Sequence, residues 1–224
     1  MGRILAFGAT LLLGAPLAYA HCSDAPAAGV DWSGCAKQQL LIRKRDLQGA
    51  NFDRATLIAL NFERSDLSRA SFVAAEVSRT SFRDAVLERA NLSKLVAVRS
   101  TFAGARLTGA DLEKAELHRC VLTGAELRAA NLSKGDFGRS VFDRADLREA
   151  NFKYASLARA SLRGARLAGA DFSQAHLFAA RLEGTDLSAV KGLAQVQLEI
   201  ACGDAGTRLP PGLTAPSGWP CGAD

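Results

Sequence analysis

Eight basic side chains recur at intervals of twenty residues: Arg79, Arg99, Arg119, Arg139 and Arg159 in one series, Lys94, Lys114 and Lys134 in another. Cationic groups brought into a line sum to one field that phosphate or carboxylate polymers sense together. The two series are therefore a candidate anion-binding column, provided the fold stacks residues twenty apart. Glu76, Glu116 and Asp136 run beside the arginines and are the groups that would neutralise them. Arginine also stands at the equivalent place elsewhere, as Arg54, Arg64, Arg69, Arg89 and Arg144, so residue type alone does not single out the column. Little else is suited to chemistry. His118 and His176 are three such intervals apart, about 14 Å at inter-strand spacing, too far to share a metal ion, and His21 lies near the terminus. No Cys/His spacing fits a zinc site. There is no Gly-rich phosphate loop and no G-x-S-x-G elbow. Carboxylates recur so often that a close pair is expected by construction and does not mark acid–base catalysis. We expect no catalytic, cofactor-binding or metal-ligating residues, and no enzyme activity.

What must position the basic series is a period of five that runs from Arg45 to Ala189. A large apolar residue, here called the centre, recurs every five residues from Leu47 to Leu187, 29 in all, 18 of them Leu and nine Phe, with Val77 and Ala97 the exceptions. Two residues before each centre stands a small residue, Ala in 19 of the 29 cases and mostly Ser65, Thr80, Ser100, Cys120, Gly135, Ser140 or Thr185 in the rest. A helix would spiral such centres around every face. A flat strand would send successive centres to opposite faces. Within each five, the small and large residues are two apart, which is local strand alternation. A quarter turn of the chain after each five keeps both inside, and four quarter turns make a coil of twenty. Sorting by twenties puts like on like: Leu47, Leu67, Leu87 and so on to Leu187 form one column without exception. On the side of Leu57, Val77 and Ala97 the volumes trade, because Leu95 fills the usually small position beside Ala97. Coils stack at about 4.8 Å, each touching mainly its neighbours.

The repeated Ala-Asn-Phe, Ala-Asp-Leu and Ala-Asn-Leu triplets, such as Ala50-Asn51-Phe52, Ala110-Asp111-Leu112 and Ala130-Asn131-Leu132, resemble the motif of the pentapeptide-repeat family over about two-thirds of the chain. The resemblance implies an all-β fold, a right-handed quadrilateral β-helix of about seven coils, roughly 35 Å long at the inter-strand spacing. It does not imply one function. The best-known members protect DNA gyrase from quinolones, and most have no assigned role.

The ends divide the chain further. Residues 1–20 read as a signal peptide: Arg3, an apolar Ile4 to Leu13 too short to span a bilayer, and an Ala18-Tyr19-Ala20 cleavage site. His21 ahead of Cys22 is not the small residue that lipidation signals need. Residues 21–44 read as an N-terminal cap with Trp32 plugging the open end, 45–189 as the solenoid, and 190–224 as a C-terminal cap and tail. In that last segment, Leu193 to Ala201 form a short helix across the solenoid end. In an oxidising compartment Cys22, Cys35, Cys202 and Cys221 should pair. Of three connectivities, the rod's length rules out cross-end pairs, leaving Cys22–Cys35 and Cys202–Cys221. Cys120, inside the repeat, is expected to be a buried thiol that fills space.

The full chain carries +5, and loss of Arg3 with the leader leaves 27 basic against 23 acidic residues. No Lys/Arg run of the kind that marks a nucleic-acid arm is present, and no segment after the leader is long and apolar enough to cross a membrane. Val96, Val98, Val121 and Val141 point outward and fall short of an interface patch. These features lead us to expect a periplasmic or secreted monomer, an interaction scaffold for an unknown protein or an anionic envelope component, with no nucleic-acid partner and no cofactor. An anion-binding column is the specific alternative. A DNA-mimicking, gyrase-protecting role fits less well with a positive charge and an export signal, and an enzyme with an unrecognised site is the remaining class.

Overall fold

A computed structural model of the chain describes residues 22–221. The expected signal peptide over residues 1–20, His21 and the last three residues lie outside the described residues. Neighbouring coils pair in parallel with a register of twenty. The three-residue strands β1 (Ala36–Gln38), β2 (Thr56–Ile58), β3 (Glu76–Ser78), β4 (Val96–Val98) and β5 (Glu116–His118) form one sheet in chain order, with Lys37 opposite Leu57, Leu57 opposite Val77, Val77 opposite Ala97 and Ala97 opposite Leu117. The other sides are held by single rungs of the same register, such as Asn51↔Ser71, Asn61↔Ser81 and Asp66↔Val86. The architecture is the quadrilateral β-solenoid that the period requires.

The coil count differs slightly from the expected seven. Rungs begin at Asp31↔Asn51 and end at Asp186↔Arg208, so pairing extends beyond the repeat at both ends. The reason is that the period continues in disguise. Trp32 and Ile42 occupy centre positions and Val30 and Cys35 small positions, and all four are buried. Trp32 meets the Phe52 ring edge-on at 5.8 Å. Lys37, at the intervening centre, lays its ammonium 4.2 Å from the Trp32 ring and donates to the Cys22 carbonyl.

Each corner has one conformational demand. From Gly49 to Gly184 the residue two after the centre has a positive φ of 53–76°, whether it is Gly49, Arg54, Lys94 or Tyr154. At most corners the N–H of the next small residue returns to the centre's carbonyl, as Ala55 does to Phe52 at 3.0 Å. This is a β-turn with a left-handed third residue. The residue before the centre braces the turn. The Oδ1 atoms of Asn51, Asn61, Asp66, Asn91, Asp111, Asn131, Asn151 and Asp171 accept the N–H two residues on, at 2.9–3.2 Å. That is the Asx turn that Asn and Asp favour. Asn131 and Asn151 also donate along the stack, to Asp111 and Asn131.

Centres and small positions are buried along the whole run, and among the described residues no buried side-chain nitrogen or oxygen lacks a partner. One column of small positions does more than fill space. Where β2 to β5 run, the turn bond is absent, and a hydroxyl from the next coil replaces it. The Thr80 Oγ1 donates to the Leu57 carbonyl and accepts from the Leu60 N–H. Ser140 donates to Leu117 at 2.6 Å and accepts from the Cys120 N–H at 3.0 Å. Cys120 is therefore more than a filler, since its Sγ lies 3.5 Å from the Ala97 carbonyl as a weak donor. Burial raises this thiol to about 11.

At the far end the helix α1 (Gln195–Glu199) forms a corner of the last turn of chain. It is shorter than the Leu193 to Ala201 span read from sequence. Gln197 is buried there and donates from Nε2 to the carbonyls of Phe172 and Ala175, closing acceptors that no further coil can reach. Leu198 is fully buried over the core. The disulfides Cys22–Cys35 and Cys202–Cys221 tie the two ends, with Cα separations of 5.6 and 5.4 Å. Trp219 donates from Nε1 to the Ala201 carbonyl, pinning the tail.

Candidate functional site

The arginine series is a true column. Arg79, Arg99, Arg119, Arg139 and Arg159 all stand at the left-handed corner position, with φ of 53–59°. Each backbone N–H donates to the carbonyl nineteen residues later: Val98, His118, Gly138, Ala158 and Phe178, at 2.8–3.2 Å. One coil's corner is thereby clamped to the next, and the Cα atoms advance by about 4.8 Å per coil. The side chains are exposed. The column ends with Ala59 on one side and Ala179 on the other, which occupy the same corner.

What sets this corner apart, among the described residues, is five unpaired arginines in consecutive coils, since Arg54, Arg69, Arg89 and Arg144 are unpaired at other corners but do not form such a run. Among the described residues, Arg43, Arg64, Arg106, Arg128, Arg148, Arg163, Arg166, Arg181 and Arg208 form ion pairs, and none of the five column arginines does. Of the expected neutralising acids, Asp136 lines the same groove as Arg119, Arg139 and Arg159 but forms no ion pair with any of them. Glu116 and Asp136 each lie 3.9 Å from His118, and the Asp136 Oδ1 is occupied by the Gly138 N–H at 3.0 Å. The lysine series behaves differently. Lys134 pairs with Glu113 at 2.9 Å. A hydrogen bond from Lys134, followed by the fields of Lys114 and Lys94, holds the Glu113 carboxyl below its ordinary range. Lys94, Lys114 and Lys134 thus surround one acid at the opposite corner of the same side and add less free charge than their number suggests.

Between the two corners the side is not flat. Arg119, Arg139 and Arg159 edge an open groove of about 470 Å³ whose floor includes Gly138 and Ala158 and whose ends are His118 and Phe178. The groove exists because the outward residue after the centre shrinks to Gly138 and Ala158 in two coils, then becomes Phe178. The Arg159 guanidinium lies 5.9 Å from the Phe178 ring centroid, within reach of a cation–π contact. Sequence reasoning missed this depression, although the signal was present: the residues at 98, 118, 138, 158 and 178 read Val, His, Gly, Ala, Phe. His118 and His176 sit on this side in separate coils, and among the described residues no group of three His, Cys, Asp or Glu side chains is placed to hold a metal ion. The arrangement can hold anions against guanidinium groups. It supplies no nucleophile beside a base.

Two family descriptions match, "Pentapeptide repeats (8 copies)" over stretches spanning residues 46–124 and "Pentapeptide repeat region" over 115–191. The chain belongs to the pentapeptide-repeat family. Solved structures similar to it include a pentapeptide-repeat protein from the Arabidopsis thaliana thylakoid lumen, 31% identical over 44% of this chain and 68% of that one, with a TM-score of 0.43. Another is QnrB1, a plasmid-mediated fluoroquinolone resistance protein, at 20% identity over 79% and 92% of the two chains and a TM-score of 0.40. A third is HetL of the cyanobacterium Nostoc, involved in heterocyst differentiation regulation, at 25% identity over 76% and 88%, with a TM-score of 0.25. A comparison with curated proteins finds no match. Among the described residues, no helix of this family member is long and apolar enough to cross a membrane.

Proposed function

We propose that this pentapeptide-repeat protein is a non-enzymatic, exported scaffold that binds an anionic component of the cell envelope through its arginine corner. The observation that carries the reading is the run of five consecutive corner guanidiniums with no ion pair among the described residues. Paired arginines have their charge answered within the protein, whereas these five have theirs directed outward, where their field is additive. Export is supported by the leader-like residues 1–20 and by two disulfides, which persist in oxidising compartments. The disulfide-bound tail over the last coil obstructs end-to-end association and favours a monomer. A DNA-mimicking role fits poorly, since a mimic of DNA presents negative charge and this chain carries +5.

The test is retention of the mature, disulfide-intact protein on immobilised polyphosphate across a salt series. Binding through the corner predicts elution at moderate salt, because screening shortens the field to about 8 Å at physiological ionic strength. The triple variant Arg119→Gln, Arg139→Gln, Arg159→Gln should elute far earlier. Glutamine already stands at this left-handed position as Gln39 and Gln174, so the fold accepts it. Wild-type protein that passes straight through, or a triple variant retained equally, would overturn the proposal.

A further inference from the structure

We infer that the anionic component is the headgroup surface of a lipid bilayer, and that the solenoid lies against it with the arginine corner and an apolar foot at its C-terminal end. This rests on the anion-binding reading and deepens it. The added observation is the surface just beyond the last arginine. Phe178, Ile200 and Val196 are 47%, 39% and 65% exposed, although apolar. They adjoin one another and the column. Phe178 ends the arginine groove and lies within cation–π reach of Arg159. The Ala179 N–H donates to the Ile200 carbonyl at 2.6 Å, which sets α1 beside Phe178. Val196 on α1 and Ile200 at its C-terminal cap line a second depression against His176, whose ring is stacked on Phe178 at 6.3 Å.

A soluble polyanion would be recognised by charge alone and gives no reason for three exposed apolar side chains at the end of the column. A bilayer has both properties, an anionic surface and an apolar layer a few ångströms beneath it. Stable attachment of a peripheral protein takes two such signals acting together, basic groups near the headgroups and a small apolar insertion. The geometry suits this, because a side of a quadrilateral rod presents a straight row rather than a curved one. Of the acids on this side, Glu76 and Glu116 stand in earlier coils than Phe178, and Asp136, beside His118, lines the groove and offsets part of its charge without pairing with an arginine. Glu199 on α1 is the nearest acid in sequence to Ile200 and lessens the attraction there without cancelling five guanidiniums.

The experiment is co-sedimentation of the mature protein with vesicles of phosphatidylglycerol and phosphatidylethanolamine, against phosphatidylcholine vesicles, beside the polyphosphate column. Wild type should bind the anionic vesicles and leave the phosphatidylcholine vesicles. The Arg119/Arg139/Arg159→Gln variant should lose binding to both anionic vesicles and polyphosphate, by roughly a hundredfold for the vesicles. The double variant Phe178→Ser, Val196→Ser should weaken vesicle binding by roughly tenfold and leave polyphosphate retention unchanged. Both positions are exposed, and circular dichroism of the variant confirms its fold. Retention on polyphosphate without vesicle binding overturns the bilayer inference and leaves the anion-binding proposal standing. Equal vesicle binding by wild type and the apolar variant, or equal binding to both kinds of vesicle, also overturns the inference. Failure on both supports overturns the anion-binding proposal with it.

Discussion

Gly135 is where the packing can be tested most sharply. It holds a small position that alanine fills in most coils, and its neighbouring centre is Phe137. A Cβ built on Gly135 would lie 2.6 and 2.7 Å from the Phe137 ring atoms Cζ and Cε2, and 2.9 Å from the Ala115 carbonyl oxygen. Carbon contacts are most favourable at about 3.5–4.0 Å, so the added methyl intrudes by roughly 1 Å on a ring that is itself fully buried. Overpacking of this kind costs about 1–3 kcal/mol, and we expect Gly135→Ala to fall in that range. Phe137→Leu removes the two ring atoms and leaves a cavity, again destabilising. The double variant recreates the Ala–Leu pair that the same side uses at Ala55–Leu57, Ala115–Leu117, Ala155–Leu157 and Ala175–Leu177. It should therefore return to within about 1.5 kcal/mol of wild type, giving a coupling energy of the same order as the single losses. Urea unfolding followed by circular dichroism, with disulfides intact, measures all four proteins. Additive losses in the double variant would refute the idea that small position and centre share one space.

Three further outcomes rest on the same geometry. Leu95→Ala should cost about 2–5 kcal/mol, and the swap Leu95→Ala with Ala97→Leu should recover most of it by the same unfolding measurement, because both sites are fully buried in one pair. Ser140→Ala leaves the Leu117 carbonyl and the Cys120 N–H without their hydroxyl partner and should lower stability by about 1–3 kcal/mol, visible as a lower urea midpoint. Cys120 should resist a thiol reagent at pH 8 until the chain unfolds. Its thiol is raised to about 11 by burial, so the folded chain holds a proton that the unfolded chain releases. Stability from this group is intact below pH 9 and falls between pH 9 and 11, by up to about 1.4 kcal/mol per pH unit. Thermal melts at pH 8 and 10.5 should show a larger loss for wild type than for Cys120→Ser.

Much of the fold could be read from sequence because every pentad repeats the same instruction. Ala50, Asn51 and Phe52 each do one job, small packing, turn bracing and core filling, and 29 copies leave the backbone no other way to bury all the centres. The disulfides are legible for the related reason that a rod keeps its ends apart. What escapes is anything decided between coils rather than within one. The run Thr80, Ser100, Cys120, Ser140 looks like a series of small residues, and its hydroxyl ladder appears only when each side chain meets a corner that lacks its turn bond. The groove over Gly138 and Ala158 needs His118 and Phe178 stacked at its ends. Charge pairing depends on where long side chains reach, so Lys134 and Arg139 look alike in sequence, although one is paired with Glu113 and the other is not. The N-terminal segment reads as a cap apart from the solenoid because Lys37 and Trp32 hide the period that Val30, Cys35 and Ile42 continue.

The most direct measurement is a titration of the arginine side-chain Nε–H signals by nuclear magnetic resonance as a polyphosphate oligomer is added to the mature protein. Arg79, Arg99, Arg119, Arg139 and Arg159 should shift together and saturate together, while the ion-paired Arg43, Arg106 and Arg208 hold still. Shifts scattered over all four sides of the solenoid, or confined to arginines outside the column, would contradict a dedicated anion-binding corner.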